Sequence, residues 1–161
     1  MKNNRNRLGI SLLAVAASAM LAAGAAQADT ISVTINAQIV GICKFNSGQT
    51  PTVTIANAGA TIDPSLAGPA TGNAAILYRC TNGQAPTFTV PTPATVTCTT
   101  AGTCGVTTMA PTLSSVNTGS GTGFGAGQDK TLTVTGQLTA AQYQNMQVGT
   151  YSGTVTVTVT P

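Results

Sequence analysis

The sequence contains no histidine, no glutamate and no tryptophan, and its three acidic residues are all aspartates. Histidine is the commonest general base and a frequent metal ligand, so its absence removes both roles. A serine or cysteine nucleophile would have no histidine to activate it. Asp63 and Asp129 are the one pair of carboxylates that could act together in catalysis. Both are accounted for more simply as solvated residues of loops. We therefore expect that the protein is not an enzyme and uses no cofactor.

Charge is also scarce, and half of the basic residues lie near the N-terminus. Lys2, Arg5 and Arg7 precede an apolar run at residues 8–23, followed by an A-Q-A triplet that matches a cleavage site after Ala28. This pattern is typical of a secretory signal peptide. A membrane anchor is the alternative, but the run is short and only weakly hydrophobic for a span of about 20 residues. The sequence thus predicts an exported protein.

Removal of the signal peptide changes the net charge from +3 to zero. Lys44, Arg79 and Lys130 then balance the three aspartates, because 3 − 3 = 0. A chain without a basic patch or a polybasic segment has little electrostatic affinity for nucleic acid or for an anionic membrane surface. We expect neither nucleic acid as a partner nor stable insertion into a membrane.

Threonine, valine, glycine and alanine dominate what remains, and their alternation predicts an all-β protein. One long alternating segment is residues 30–40, T-I-S-V-T-I-N-A-Q-I-V. In a strand, its apolar side chains share one face over a length of about 36 Å. With no charge and no proline, such a strand can complete an open sheet in its own fold or in a neighbouring molecule. The apolar residues of this candidate donor strand are Ile31, Val33, Ile35, Ala37 and Ile39.

Shorter alternating segments with regular turns predict an immunoglobulin-like β-sandwich of about seven or eight strands. The predicted strands after residue 43 are residues 52–56, 75–80, 86–90, 95–98, 106–109, 112–116, 131–135 and 150–160. Residues 57–73, with at most a short strand inside, and residues 119–127 are predicted as loops, the second of them flexible. Thr139 and Gln142 match a capping box, which predicts one helical turn within residues 139–146.

The last predicted strand has no later element with which to pair. Tyr151, Val155, Val157 and Val159 share one of its faces. If this strand lies beside a gap, the sandwich has an exposed edge and an open groove. Natural proteins seldom leave such an edge uncovered, and residues 30–40 have the length and pattern to cover one.

The four cysteines of an exported chain predict disulfide bonds, for which three pairings are possible. Cys98 and Cys104 flank T-T-A-G-T, which suits a tight hairpin closed by its own bridge. That assignment leaves Cys43 to pair with Cys80. A metal site is the alternative, but the chain has neither histidine nor a C-x-x-C pair, so we expect no metal.

Four segments together resemble the spore coat protein U-like domains, which include the pilins of archaic chaperone–usher pili. V-T-I-N-A-Q-I-V-G-I-C at residues 33–43 is similar to their N-terminal strand running into the first cysteine. A-I-L-Y-R-C-T-N-G at residues 75–83 is similar to their second cysteine strand. Residues 132–138 and 149–160, the latter with G-T-Y-S-G-T-V-T-V, resemble their C-terminal signature. Residues 84–125 carry no motif of this family.

The resemblance implies an incomplete immunoglobulin-like sandwich that lacks its final strand. In such families a periplasmic chaperone lends a strand, and an outer-membrane usher exchanges it for the N-terminal segment of the next subunit. The protein would then be a structural subunit of a homopolymeric fimbria or pilus on the cell surface, of the kind that serves cell adhesion and biofilm formation. Residues 1–28 would be the signal peptide, residues 29–41 the donor-strand segment and residues 42–161 a single pilin-like domain.

The resemblance also assigns roles to individual residues. Cys43 and Cys80 would form the disulfide bond of the family, whereas Cys98 and Cys104 are an additional pair. The donor residues would be Ile31, Val33, Ile35, Ala37 and Ile39. The residues near the acceptor groove would be Tyr151, Val155, Val157 and Val159.

Other interpretations do not need an assembly. Residues 30–40 would be the ordinary first strand of a closed sandwich if the protein is a secreted stand-alone coat protein. An adhesin or carbohydrate-binding protein would work through its loops, where Phe124 is the best candidate contact, although we expect it to be a buried satellite residue. A threonine-faced solenoid would need a fixed repeat, which the T-x-T triplets do not keep. The glycines at residues 121–126 imitate a dinucleotide fingerprint without the βαβ unit that it requires.

Overall fold

The computed structural model describes residues 30–100, 104 and 108–161. The expected signal peptide and its cleavage site after Ala28 lie outside these residues. The chain divides into two units, Met1–Ala37 and Gln38–Pro161. In the first unit, the described residues form no strand. The strand predicted at residues 30–40 is therefore not formed in this structure.

The regular elements of the second unit are almost all antiparallel strands, so the all-β prediction is confirmed. In chain order its elements are β1 (Cys43–Phe45), β2 (Ala70–Cys80), β3 (Thr87–Thr89), β4 (Val96–Cys98), β5 (Thr108–Met109), β6 (Thr112–Asn117), β7 (Lys130–Leu138), α1 (Ala140–Tyr143), β8 (Tyr151–Ser152) and β9 (Thr158–Thr160). One sheet has four strands in the order β1-β2-β7-β6. A second pairs β3 with β9, and a third has the order β5-β4-β8.

The strands β2 and β7 form the centre of the four-stranded sheet. Alternate residues of both strands point to the same buried face, as the period of a strand requires. In register, Ile76 lies opposite Leu132, and Ala70 lies opposite Leu138. Cross-strand neighbours of this kind pack side by side and stabilise the pairing.

Two hydrophobic clusters on this face join the large sheet to the two small ones. The first cluster contains Tyr78, Leu132 and the Cys43–Cys80 disulfide bond, and residues of β3 and β9 pack against it. The second contains Leu138 and Tyr143, and residues of β4 and β8 pack against it. The large sheet thus faces the two small sheets, an arrangement compatible with a β-sandwich.

Residues 52–56 do not form the predicted strand. Their backbone makes one isolated bridge, between Ala56 and Thr71. A Cβ atom on Gly72 would collide with the backbone of Thr54, and one on Gly136 would lie 3.0 Å from side-chain atoms of Ile55 and Val53. These contacts place residues 53–55 on the buried face of the large sheet, where their backbone cannot pair with its edge.

The bounds of three other predicted elements also change. The predicted loop at residues 57–73 ends earlier, because β2 begins at Ala70 and is held by pairing with β7. The strand predicted at residues 131–135 extends over the whole of β7. The strand predicted at residues 150–160 is interrupted, since only its two ends, β8 and β9, pair with neighbours. At the interruption, a Cβ atom on Gly153 would collide with the carbonyl oxygen of Thr95, so this glycine permits a close backbone approach.

Candidate functional site

An apolar groove of about 830 Å³ runs along the chain segment that leads into β8 and continues beyond it. Residues 51–55 form one wall, and residues 146–155 form the other. Its floor includes Leu113, Val134 and Leu138, which belong to the buried face of the large sheet. The groove therefore borders both hydrophobic clusters, through Val134 of the first and Leu138 of the second.

The first wall is placed by two glycines of the large sheet. Because Gly72 and Gly136 have no side chains, residues 53–55 can lie directly on β2 and β7. Val53 and Ile55 are half-buried and line the groove. The wall thus presents apolar side chains, while its backbone makes only the bridge at Ala56.

The second wall is the last segment of the chain, paired on one side. Ser152 lies opposite Thr97 in β4, and Val159 lies opposite Phe88 in β3. In the part of the chain that the structure describes, β8 and β9 each pair with no other strand. The part of this segment at residues 149–155 lines the groove, and an unpaired strand edge carries backbone groups that another strand could use.

The four predicted acceptor residues separate into two pairs. Tyr151 and Val155 are half-buried and line the groove. Val157 and Val159 instead pack against the first hydrophobic cluster, together with Phe45 of β1. The groove therefore occupies only the half of the last segment nearer to β8.

The far end of the groove is held by the Cys98–Cys104 disulfide bond. A Cβ atom on Gly149 would lie 2.6 Å from the Sγ atom of Cys104 and 3.0 Å from that of Cys98. The backbone amide of Thr99 donates to the carbonyl of Thr150 over 2.8 Å. The amide of Thr150 in turn donates to the hydroxyl of Thr100 over 2.8 Å. The additional disulfide thus fixes the start of the wall.

The helical turn α1 contributes Tyr143 to the lining of the groove. Its capping box is present as predicted. The Oε1 atom of Gln142 accepts a hydrogen bond of 2.8 Å from the backbone amide of Thr139. The turn places Tyr143 in the second cluster, where its hydroxyl accepts a hydrogen bond of 3.1 Å from the amide of Asn57. The same hydroxyl lies 2.9 Å from the carbonyl of Leu66. Tyr143 therefore ties the long loop before β2 to the groove floor.

The predicted donor residues are strongly exposed, which is unusual for side chains of this type. The exposed fractions are 90% for Ile31, 75% for Val33, 87% for Ile35 and 85% for Ile39. Ala37 is also exposed. Since residues 30–42 belong to no strand, the apolar pattern of this segment has no partner sheet in the described chain.

Among the described residues, none that lines the groove is charged. The two described aspartates lie in separate networks, so the structure does not bring the sequence-predicted pair together. The hydroxyl of Ser65 donates to Asp63 and holds the pKa of that carboxyl below its ordinary value. The guanidinium of Arg79 does the same for Asp129, since its Nε lies 2.6 Å from Oδ1. An uncharged apolar groove suits an apolar strand better than a charged ligand.

The sequence did not identify the floor or the first wall of the groove. Leu113 and Leu138 carry the same alternation as any buried strand residue, so no local signal marks them as groove residues. Residues 51–55 alternate like a strand, so they were predicted to pair within a sheet rather than to lie on its face. Among the described residues, no group of three or more histidine, cysteine, aspartate or glutamate side chains could hold a metal ion.

Both disulfide bonds join the cysteines in the predicted pairing, Cys43 with Cys80 and Cys98 with Cys104. They indicate an oxidising environment, periplasmic or extracellular. No helix in the described part of the chain is long and apolar enough to cross a membrane. Comparisons with protein-family models, with curated proteins and with solved structures find no match to this chain.

Proposed function

We propose that the protein is a structural subunit of a surface fimbria that assembles by donor-strand exchange. One subunit inserts residues 30–40 into the groove of the next, beside the last strand. The observation that carries this proposal is the juxtaposition of an open strand edge with an uncharged apolar groove. The resemblance to spore coat protein U-like domains is consistent with it and names the fold as an incomplete immunoglobulin-like sandwich.

The dimensions of the groove support a donor of this kind. Residues 149–155 border it and, as a strand, would extend for about 20 Å at 3.3 Å per residue. Alternate donor side chains would be about 6.6 Å apart, so about four of them fit along this length. The candidate donor has five, of which four are isoleucine or valine. Toward β9, Val157 and Val159 already pack against the first hydrophobic cluster. The inserted donor strand would therefore end before it reaches them.

Opposing terms of similar size set the free energy of insertion into an uncovered groove. Burying one isoleucine or valine side chain contributes about 1.5–3 kcal/mol, and each backbone hydrogen bond contributes about 0.5–1.5 kcal/mol net. Ordering the donor opposes this by about 1–2 kcal/mol for each residue. A periplasmic chaperone would cover this groove with its own strand until an outer-membrane usher exchanges that strand for the donor of the next subunit.

The first test compares the full-length exported chain with a variant that lacks residues 29–40. Both are expressed in a periplasm and analysed by size-exclusion chromatography and by non-reducing SDS gels without boiling. We expect a ladder of SDS-resistant polymers from the full chain and only unstable monomer from the truncated one. Two stable monomers would overturn the proposal. A stable full-length monomer beside an unfolded truncation would mean that the segment completes its own sandwich.

A point substitution tests the same proposal without deleting the segment. Ile35→Asp places a charge on the apolar face of the donor, whereas Thr34→Asp places the same charge on the opposite face. We expect Ile35→Asp to abolish the polymer ladder, because burying an unpaired carboxylate is costly. Thr34→Asp should leave the ladder intact. Equal loss in both variants would show that net charge, not insertion of the apolar face, controls assembly.

A further inference from the structure

A second depression, of about 410 Å³, lies on the outer side of β1 and β2. It is lined by Lys44, Phe45, Asn46, Ser47, Arg79 and Phe124. Unlike the apolar groove, it is lined by two cations, which stand beside polar side chains and two aromatic rings. The strand-exchange proposal assigns no role to any of these features.

The depression places two positive charges next to each other, which opposes the pairing of β1 with β2. Lys44 of β1 lies directly opposite Arg79 of β2 in the antiparallel register. Like charges in this cross-strand position destabilise a sheet. Asp129 neutralises Arg79 through its two carboxylate oxygens, at 2.6 Å from Nε and 3.2 Å from a terminal nitrogen. No ion pair forms at Lys44 among the described residues, so the depression keeps one positive charge.

Phe124 stands at the rim of the depression and is 45% exposed, contrary to our expectation that it is buried. Its loop is held from both sides rather than left free. The terminal nitrogen of Arg79 donates to the carbonyl of Phe124 over 3.0 Å, and the amide of Gly123 donates to the carbonyl of Cys80 over 3.0 Å. A ring that is presented in this way offers one apolar face to a ligand.

Gly121 explains why this loop can lie so close to β2. A Cβ atom at residue 121 would collide with Cys80, so only glycine permits the approach. The amide of Gly121 then donates to the carbonyl of Gln84 over 2.8 Å, and its carbonyl accepts from the amide of Gly83 over 2.9 Å. The loop predicted as flexible is thus anchored beside the Cys43–Cys80 disulfide bond.

We propose that this depression binds a carboxylate-bearing sugar residue of an acidic polysaccharide. The sugar carboxylate pairs with the ammonium of Lys44, the sugar ring lies on Phe124, and the hydroxyls bond to Asn46 and Ser47. Nucleic acid fits less well, because tight binding to a phosphate backbone needs several cations and this site has one that is not neutralised. The site is distinct from the apolar groove, and the inference holds whether or not the protein polymerises.

The test is calorimetric titration of the full exported chain with a galacturonate tetramer, its methyl ester and a single-stranded DNA oligomer. We expect millimolar binding of the free acid, weakened by added salt, and none of the uncharged ester. Lys44→Gln should lower the affinity by about tenfold, as expected for one charge-assisted hydrogen bond. Phe124→Ala should lower it by a similar factor, by removing the stacking surface.

Matched controls are available on the same chain. Lys130→Gln removes a cation that does not line the depression, and Val116→Ala truncates a side chain of β6 that is 74% exposed and lines neither the depression nor the groove. Both should bind the tetramer like the unmodified protein, and melting curves should show that all four variants fold. Equal binding of the methyl ester, unchanged binding by Lys44→Gln, or no binding of the acid would each overturn the proposal. Tighter binding of the DNA would replace it with a nucleic-acid site.

Discussion

The two halves of the molecule share the strands β2 and β7 but cover them differently. In one half, β1, β3 and β9 surround Tyr78 and Leu132, both of which are completely buried. In the other half, α1, β4 and β8 surround Leu138, which is also buried but borders the apolar groove. We call these the closed half and the open half.

The difference lies in the last segment of the chain rather than in the large sheet. Near β9, Val157 and Val159 pack onto the closed half beside Phe45. Near β8, Gly153 and Gly149 have no side chains, and the wall that they belong to leaves the groove open. A single alternating segment thus has one end that packs onto the closed half and one end that borders the groove.

The largest predicted effect compares the disulfide bonds of the two halves. Cys43 and Cys80 are separated by 37 residues, and Cys98 and Cys104 by 6. A longer closed loop restricts the unfolded chain more, so replacing both cysteines of the first pair by alanine should cost about 4 kcal/mol. The same change in the second pair should cost about 2 kcal/mol. Urea unfolding of the exported chains measures both free energies.

The second pair has a further expected effect that the first does not share. Because Cys98 and Cys104 lie against Gly149, their replacement should weaken polymer formation more than its stability cost alone would explain. The replacement of Cys43 and Cys80 should lower stability without this additional loss, provided that the variant folds. If the loss of polymer follows the loss of unfolding free energy equally in both variants, the second disulfide bond has no separate effect on the groove.

The next prediction compares two leucines of β7. Leu132→Ala in the closed half should cost about 4 kcal/mol, because it leaves an enclosed cavity. Leu138→Ala in the open half should cost about 2 kcal/mol, since the space that it leaves joins the groove. Thermal or urea unfolding of the unassembled subunit distinguishes them. Equal costs in the two variants would mean that the groove floor is packed as tightly as the closed half.

Assembly should reduce this contrast if the donor strand covers the floor. In the polymer, Leu138→Ala would remove contacts with the inserted segment as well as with the sheet. Its cost relative to Leu132→Ala should therefore rise when both are measured by the dissociation of polymer in denaturant. If the ratio of the two costs is the same in the polymer as in the unassembled subunit, the donor strand does not cover Leu138.

The two buried tyrosines give a smaller contrast. The hydroxyl of Tyr143 in the open half contacts Asn57, Leu66 and Gly68, whereas that of Tyr78 donates to the carbonyl of Gly119 over 2.6 Å and also interacts with the side chain of Thr118. Tyr143→Phe should cost about 2 kcal/mol and Tyr78→Phe about 1 kcal/mol, because the partners of Tyr78, Gly119 and Thr118, are exposed and can bond to water instead. Denaturant unfolding measures both costs. A larger cost for Tyr78→Phe would show that the loop before β2 does not depend on Tyr143.

Local signals in the sequence were enough for part of the fold. The alternation at residues 75–80 and 131–135 identified the centres of β2 and β7, because both segments bury one face. The spacing of Thr139 and Gln142 identified α1, since a capping box acts within one turn. These elements depend on contacts between near neighbours, which a single sequence records directly.

Elements that depend on distant contacts were missed or misplaced. Residues 70–73 have weak strand propensity and join β2 only because β7 pairs with them. Residues 52–56 alternate like a strand but lie on the face of the sheet. Of the groove, Tyr151 and Val155 could be named from the last strand, whereas Leu113 and Leu138 could not. Which buried residues border a groove depends on what the remaining chain leaves uncovered.

The smallest expected effect compares one carboxylate from each half. Asp129 is paired with Arg79 beside the closed half, and the pKa of its carboxyl is lowered below 3.8, first by the hydrogen bond from Arg79 and then by that from Asn46. Asp63 belongs to the loop that Tyr143 anchors, and the pKa of its carboxyl is lowered by hydrogen bonds from Ser65. A carboxyl with a lowered folded pKa stabilises the protein above its unfolded pKa, and this contribution is lost as the pH falls through the folded pKa.

The unfolding free energy should therefore decline as the pH falls below the unfolded value of 3.8 for both groups. Asp129→Asn and Asp63→Asn should each make this decline shallower, by small amounts because both carboxyls are solvated. Salt distinguishes them. In about 1 M salt the contribution of Asp129 should shrink, since the charge of Arg79 is screened, whereas that of Asp63 depends on local hydrogen bonds and should remain. Equal salt sensitivity in the two variants would contradict an ion pair at Asp129, and unfolding curves between pH 2 and pH 6 would reveal it.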